Sequence, residues 1–212
     1  MADPGINSLL KWSLENSEEG RAAQPGEPKD PSRGFDAEAL KRLMGGPSDA
    51  DLMNESMAVI HHPEATLDAK LTAWDNFEQL IENLDNANNM SNLGLWDPLV
   101  QKLQDQEPEV RKFAAWCVGT AVQNNMKSQV KLLAVGAIPS LIDLAANDTD
   151  KAVRKKAIMA LSSGVRNYQP ALDEALKRLP SQFKTSDQID AGDMDAIDEI
   201  MQKLRDNAAN AS

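Results

Sequence analysis

The stretch "VRKFAAWCVGTAVQNN" from Val110 returns, altered but recognisable, as "VRKKAIMALSSGVRNY" from Val153, 43 residues on. Aligned without a gap, the Val-Arg-Lys openings match, Ala114 meets Ala157, Val118 meets Leu161, Val122 meets Val165 and Asn124 meets Asn167. Upstream, "LGLWDPLVQKL" from Leu93 aligns with "VGAIPSLIDLA" from Val135 at an offset of 42, which sets Gly94 on Gly136, Trp96 on Ile138, Leu99 on Leu141 and Val100 on Ile142. Leu67, 43 residues before Val110, opens an earlier copy. Each unit reads as a helix preceded by glycine, a short acidic turn and a long amphipathic helix. Periods of about 40–47 residues with two or three helices mark HEAT and armadillo arrays, whose units bury a core only by stacking on neighbours. The expected fold class is all-α: a right-handed α-solenoid of armadillo/HEAT-like repeats.

The longest helical stripe supports stacking. Leu67, Leu71, Trp74, Phe77, Leu80, Ile81 and Leu84 recur at steps of three and four, which predicts one amphipathic helix across that span. Asp75, Asn76, Glu78, Glu82, Asn83 and Asp85 then take its other faces, with Asp75, Glu78 and Glu82 as a solvated acidic strip. The small residues Ala114, Ala115, Ala121, Ala157 and Ala160 permit close packing between layers. Before the repeats, Asp36 is placed to cap "AEALKRLM", which stops at Gly45-Gly46-Pro47. Ser48 or Asp49 caps the next helix, with Leu52, Met53, Ser56, Met57 and Ile60 on one side and His61-His62-Pro63 at its end. After Tyr168 the pattern fades. A short helix fits between Pro170 and Pro180, and Asp193 caps a last one that turns Met194, Ile197, Ile200, Met201 and Leu204 inward. The expected organisation is a flexible N-terminal segment over 1–34, a repeat domain over 35–180 and a capping helix with tail over 181–212. Within the first, residues 5–17 form a short apolar motif, and 18–34, rich in proline, glycine and charge, form a disordered linker.

Chemistry is harder to find. The formal net charge is −11, which opposes nucleic acid and anionic membrane, since both are held through lysine and arginine. The single cysteine, Cys117, lies in an apolar run and reads as a packing residue in a reducing compartment. The N-terminus lacks the basic and apolar regions of a secretory signal, and no apolar run approaches the ~20 residues of a membrane span. A cytoplasmic, monomeric protein is expected, and the sequon triplets at Asn54, Asn147 and Asn210 are chance matches. His61 and His62 point to different sides of a helix with no further ligand at metal spacing. Asp190, Asp193, Asp195 and Asp198 lack the spacing of a calcium loop and suit a helix N-terminus instead. No phosphate loop, nucleophile elbow or zinc cluster is present. The expectation is no enzyme, no catalytic residue, no metal and no cofactor, and a partner that is a protein.

Four motifs, "LLKWSLENS", "LMGGPSDADLMNESMAVI", "DNFEQLIENLDNANNM" and "VGTAVQNN", occur in an order that strongly resembles the fungal Fes family, kin of the animal heat-shock-protein-binding-protein. The resemblance covers about residues 6 to 168 and implies an armadillo-type nucleotide exchange factor for cytosolic heat shock protein 70 chaperones. It implies that a concave face grips the chaperone's ATPase domain, so that ADP and then client are released. It also implies that Leu9, Leu10, Trp12 and Leu14, on their tether, mimic a client in the chaperone's groove. Candidate partner-binding residues are the exit of the long stripe, Glu82, Asn83, Asn86, Ala87, Asn88 and Asn89, with the echoes Gln123, Asn124, Asn125, Arg166 and Asn167. The same asparagines also suit helix C-termini, where Asn tolerates left-handed backbone. Ala87 is expected to allow close approach of the partner, so that Ala87→Arg abolishes binding with the fold intact. The longer relatives continue with further repeats; here the Val-Arg-Lys opening does not recur after Tyr168. The alternative is a generic armadillo peptide-binding adaptor. Such receptors repeat Trp with Asn four residues later, whereas here Trp74 is followed by Glu78 and Trp116 by Thr120.

Overall fold

The computed structural model describes residues 46–210. The segment 1–34, its motif 5–17 with Leu9, Leu10, Trp12 and Leu14, and the helix opened by Asp36 lie outside the described residues. Residues 49–210 form one compact unit. Its helices are α1 (Asp49–His61), α2 (Leu67–Ile81), α3 (Leu84–Asn89), α4 (Trp96–Gln101), α5 (Pro108–Val122), α6 (Met126–Ala134), α7 (Ile138–Asn147), α8 (Lys151–Val165), α9 (Gln169–Arg178) and α10 (Met194–Asn210), with a 3-10 turn at Lys102–Gln104.

The repeat becomes a layer of three helices. α3, α4 and α5 make one layer and α6, α7 and α8 the next, while α1 and α2 supply the second and third helices of the layer before. The long helices α2, α5 and α8 pack side by side, α5 against α8 most extensively, and α10 packs on α7 and α8. Gly119 makes the α5–α8 contact close: a Cβ there would lie 3.2 Å from the backbone of Ala160. The apolar positions matched by the repeat are the core. Trp74, Phe77, Trp96, Leu99, Ala114, Val118, Ile138, Leu141, Ala157 and Val165 are all buried.

The aligned glycines have a shared reason. Gly94 and Gly136 sit at φ +68° and +69°. Gly136 follows the end of α6 and Gly94 closes the turn that follows α3, and at each the next residue's N–H reaches back, Leu95 to Met90 (3.0 Å) and Ala137 to Leu132 (3.3 Å). That is the Schellman geometry, which needs a left-handed residue between.

The arginine of Val-Arg-Lys also has one job twice. The Arg111 guanidinium donates to the carbonyls of Asp105 and Gln106, both at 2.9 Å. Arg154 donates likewise to Asp148 (2.6 Å) and Thr149 (3.3 Å). Each arginine thus fastens the acidic turn that precedes its own helix. Each then reaches beyond its layer. Arg111 forks onto the Asp148 carboxylate at 2.7 and 3.0 Å, and Arg154 donates to the carbonyl of Ala208 at the end of α10 (3.0 Å).

Two expectations fail here. The stripe from Leu67 to Leu84 is two helices, because Asn83 takes extended backbone and its side chain accepts from the Asp85 N–H at 2.9 Å, capping α3. An asparagine that bonds its neighbouring backbone competes with helix continuation. Leu84 is left 56% exposed. Glu78, placed by periodicity on a solvated strip, is buried. The Thr120 hydroxyl donates to its Oε1 at 2.7 Å, which compensates the buried carboxylate.

At the end of α1, His61 is half-buried. His61 Nε2 donates to the Pro98 carbonyl at 3.1 Å. Burial lowers the imidazole pKa, opposed by that hydrogen bond and helped by Lys102 and Lys70. The folded chain therefore binds this proton less readily than the unfolded chain. The resulting stability is fully present above the ordinary value of 6.5 and is lost as pH falls through the lower folded value. Urea denaturation between about pH 7.5 and pH 5 should show that decline, and His61→Gln should flatten its part of it.

Candidate partner-binding face

The long helices end at equivalent places, and the residues singled out by recurrence lie at these ends. Asn124 and Asn167 have φ of 52° and 57°. They recur because each turn from a long helix into the next layer passes through a left-handed residue. Asn125 follows the first such turn as the N-cap of α6, as Asn83 is the N-cap of α3. The structural counterpart of the later Asn turn is therefore Glu82-Asn83, and Asn86, Ala87, Asn88 and Asn89 belong to a helix of their own.

Exposure sorts the candidates. Glu82, Asn83, Gln123, Asn124 and Asn167 are exposed. Asn86 is half-buried, with Nδ2 donating to Asp49 Oδ2 (2.8 Å) and the Leu80 carbonyl (2.9 Å). Asn88 and Asn89 are half-buried too. Two candidates are corrected. Ala87 is 2% exposed and part of the core, so an arginine there is expected to disturb the fold instead of only blocking a partner. Asn125 is buried, its amide donating to Ala121 and Ser128. Gln123, Asn124, Arg166 and Asn167 meet in one depression with Met126, Gln129 and Met194. Arg166 is already engaged there, with Ser162 (3.0 Å), Met194 Sδ (3.1 Å) and Asp198 (2.5 Å). Its first role is to hold α10. Gln129, which recurrence missed, is buried and donates to the carbonyls of Ser163 (2.9 Å) and Arg166 (2.8 Å), closing the end of α8.

A second surface runs along the row of long helices. Trp74 of α2, Phe113 and Trp116 of α5 form a stack, with ring centroids 6.4 Å apart between Trp74 and Phe113 and 5.7 Å between Phe113 and Trp116. Lys156 of α8 places Nζ 3.3 Å from the Trp116 ring centroid, and Lys112 lies 5.1 Å from that of Phe113. Burial lowers the Lys156 pKa, opposed by the charge of Glu78 and helped by Lys112. Trp74 is fully buried, whereas Phe113 and Trp116 are half-buried and reach the surface. Aromatic faces under ammonium groups make a rigid strip of the kind that anchors protein partners. Beneath it, Cys117 is wholly buried, and burial pushes its thiol pKa well up. No sequence motif flagged this strip. Its signal was the spacing of Lys112, Phe113, Trp116 and Thr120 along one side of a helix whose other side is alanine and valine.

Among the described residues no group of three histidine, cysteine or carboxylate side chains is placed to hold a metal. No single described helix is long and apolar enough to cross a membrane.

Stacked three-helix layers with a row of long helices carrying an aromatic–cationic strip define an α-solenoid of the armadillo class. Two crystallised engineered proteins share the fold. One matches with TM-score 0.55 at 19% identity over 81% of this chain and 67% of its own. The other matches with TM-score 0.53 at 16% identity over 98% and 81%. Residues 6–90 match the model of "Nucleotide exchange factor Fes1", and residues 86–179 that of the "SIL1/FES1/HPBP1 C-terminal domain". A Gibberella zeae protein named "Hsp70 nucleotide exchange factor FES1" is 52% identical over 100% of both chains. A Coccidioides immitis protein of the same name is 54% identical over 96% of this chain and 98% of its own. The Yarrowia lipolytica relative is 44% identical over 78% of this chain but only 56% of its own length. The chain belongs to the Fes1 nucleotide exchange factor family.

Proposed function

We propose that this chain is a nucleotide exchange factor for a cytosolic Hsp70 chaperone, acting as a monomer and gripping the ATPase domain with the row α2, α5 and α8. Family membership across the full length carries the partner. The strip of Phe113, Trp116 and Lys156 supports the face, because two large rigid side chains of α5 reach the surface there beside an ammonium group of the next layer. The mechanism needs no reactive side chain. The factor binds the open, ADP-free chaperone better than the closed one, and by linkage ADP weakens the factor's grip by the same ratio. A ratio of about 100-fold corresponds to about 2.7 kcal/mol of differential contact.

The test is release of a fluorescent ADP from purified chaperone. The full chain should accelerate release. Trp116→Ala should raise the half-saturating concentration by about tenfold or more, the loss of one aromatic anchor. A chain that binds basic peptides but leaves ADP release unchanged is a peptide adaptor, and the proposal falls.

A further inference from the structure

The last two long helices leave a groove of about 400 Å³ between them. Its floor is apolar, from Ile158 and Met159 of α8 and Ala208 of α10, and its rim carries Lys151, Lys155 and Arg205. Met159 is 39% exposed. No carboxylate lines the groove, although the chain carries a net charge of −11. Lys151 lies 3.4 Å from the Ala209 carbonyl. Lys155 and Arg205 are exposed, and neither has an ion-pair partner among the described residues. Met159 of the groove lies three residues after Lys156 on the same side of α8, and its Cε approaches Gly119 of α5, so the groove continues the aromatic strip toward α10. At the other end of the same row, α2 exposes Asp68 and Asp75 and is followed by exposed Glu82. The row is thus charged oppositely at its two ends.

Such a pattern fits a partner that is charged in the reverse sense. Resting on the reading that this row is the chaperone-binding face, we infer that the groove between α8 and α10 receives an acidic, apolar segment of the chaperone's ATPase domain. A carboxylate of that segment lies between Lys155 and Arg205, and an aliphatic side chain covers Met159. Exposed charges at a rim act mainly on encounter. The rim charges therefore set the speed and orientation of docking, while Met159 and the aromatic strip hold the docked state.

The experiment compares full-length wild type, Lys155→Glu/Arg205→Glu and Trp116→Ala for association and dissociation with nucleotide-free chaperone at several salt concentrations. Circular dichroism shows that each variant is folded, and sedimentation gives its assembly state. The charge reversal should slow association by about tenfold and flatten its salt dependence, a larger change than its effect on dissociation. Met159→Ala should hasten dissociation and keep the salt dependence. Wild-type association and salt dependence in the double variant overturn the inference. If Trp116→Ala still weakens binding in that case, the face reading survives and only the groove is unoccupied. If neither variant weakens binding, both readings fall. A wild-type dimer that the charge reversal splits would mean that a second copy fills the groove, which also overturns the inference.

Discussion

Replacing Ala87 by arginine is expected to unfold the first layers instead of silencing a binding site. Ala87 is 2% exposed in α3, which packs on α1, α2, α5 and α6. Arginine adds a long chain to a filled space and an unpaired charge to a dry one. Overpacking alone costs up to about 3 kcal/mol, and a buried unpaired charge adds to it. A loss of about 3 kcal/mol or more lowers the melting temperature of a unit this size by roughly 10 °C. Thermal melting by circular dichroism measures it. A cooperative melt at the wild-type temperature together with lost chaperone binding would place Ala87 at the interface after all. Ala87→Gly is the companion variant: it weakens α3 by about 1 kcal/mol without filling the space.

The second large effect belongs to Arg111. Its side chain is 13% exposed, and that of its partner Asp148 is 3% exposed. The forked pair holds the Arg111 guanidinium pKa above its usual range, chiefly through the Asp148 hydrogen bonds and against the cost of burial. Arg111→Ala leaves a buried carboxylate and two turn carbonyls without their donor. Removing one member of a buried pair costs about 3–5 kcal/mol. Partial exposure of the arginine puts the expectation at the low end, about 3 kcal/mol in urea denaturation. Arg111→Lys should recover only part of this, since a point charge cannot fork onto a carboxylate and two carbonyls together. A variant with wild-type stability would mean that the clamp between the layers contributes nothing.

The architecture was legible because stacking requires the same residues at the same step. Gly94 and Gly136, Ala114 and Ala157, Val122 and Val165 each satisfy one geometric need twice, and matching them yields the period. What periodicity cannot see is a polar residue whose partner comes from another layer. Glu78 sits at a polar step of α2 and looks solvated, yet Thr120 of α5 reaches it from a helix that the pattern of α2 does not contain. The break at Asn83 was hidden for the related reason that an apolar stripe continues across a cap when the next helix happens to keep phase. The asparagine turns were found by recurrence, but recurrence does not separate a backbone need from a contact. The left-handed φ of Asn124 and Asn167 supplies the backbone need. Trp116, by contrast, does not recur: Met159 stands one period later and Ala73 one period earlier, so a search for repetition passes it by.

The paired arginines bear on how arrays of this kind change length. Arg111 is answered by a carboxylate of the following layer, and Arg154, the same residue one period later, by the carbonyl end of a helix that is not a repeat. One socket thus accepts two plugs. Adding a unit at that joint needs only an acidic turn where α10 now lends its backbone. Insertion and deletion of whole units in evolution can then proceed without redesigning the arginine that each seam depends on.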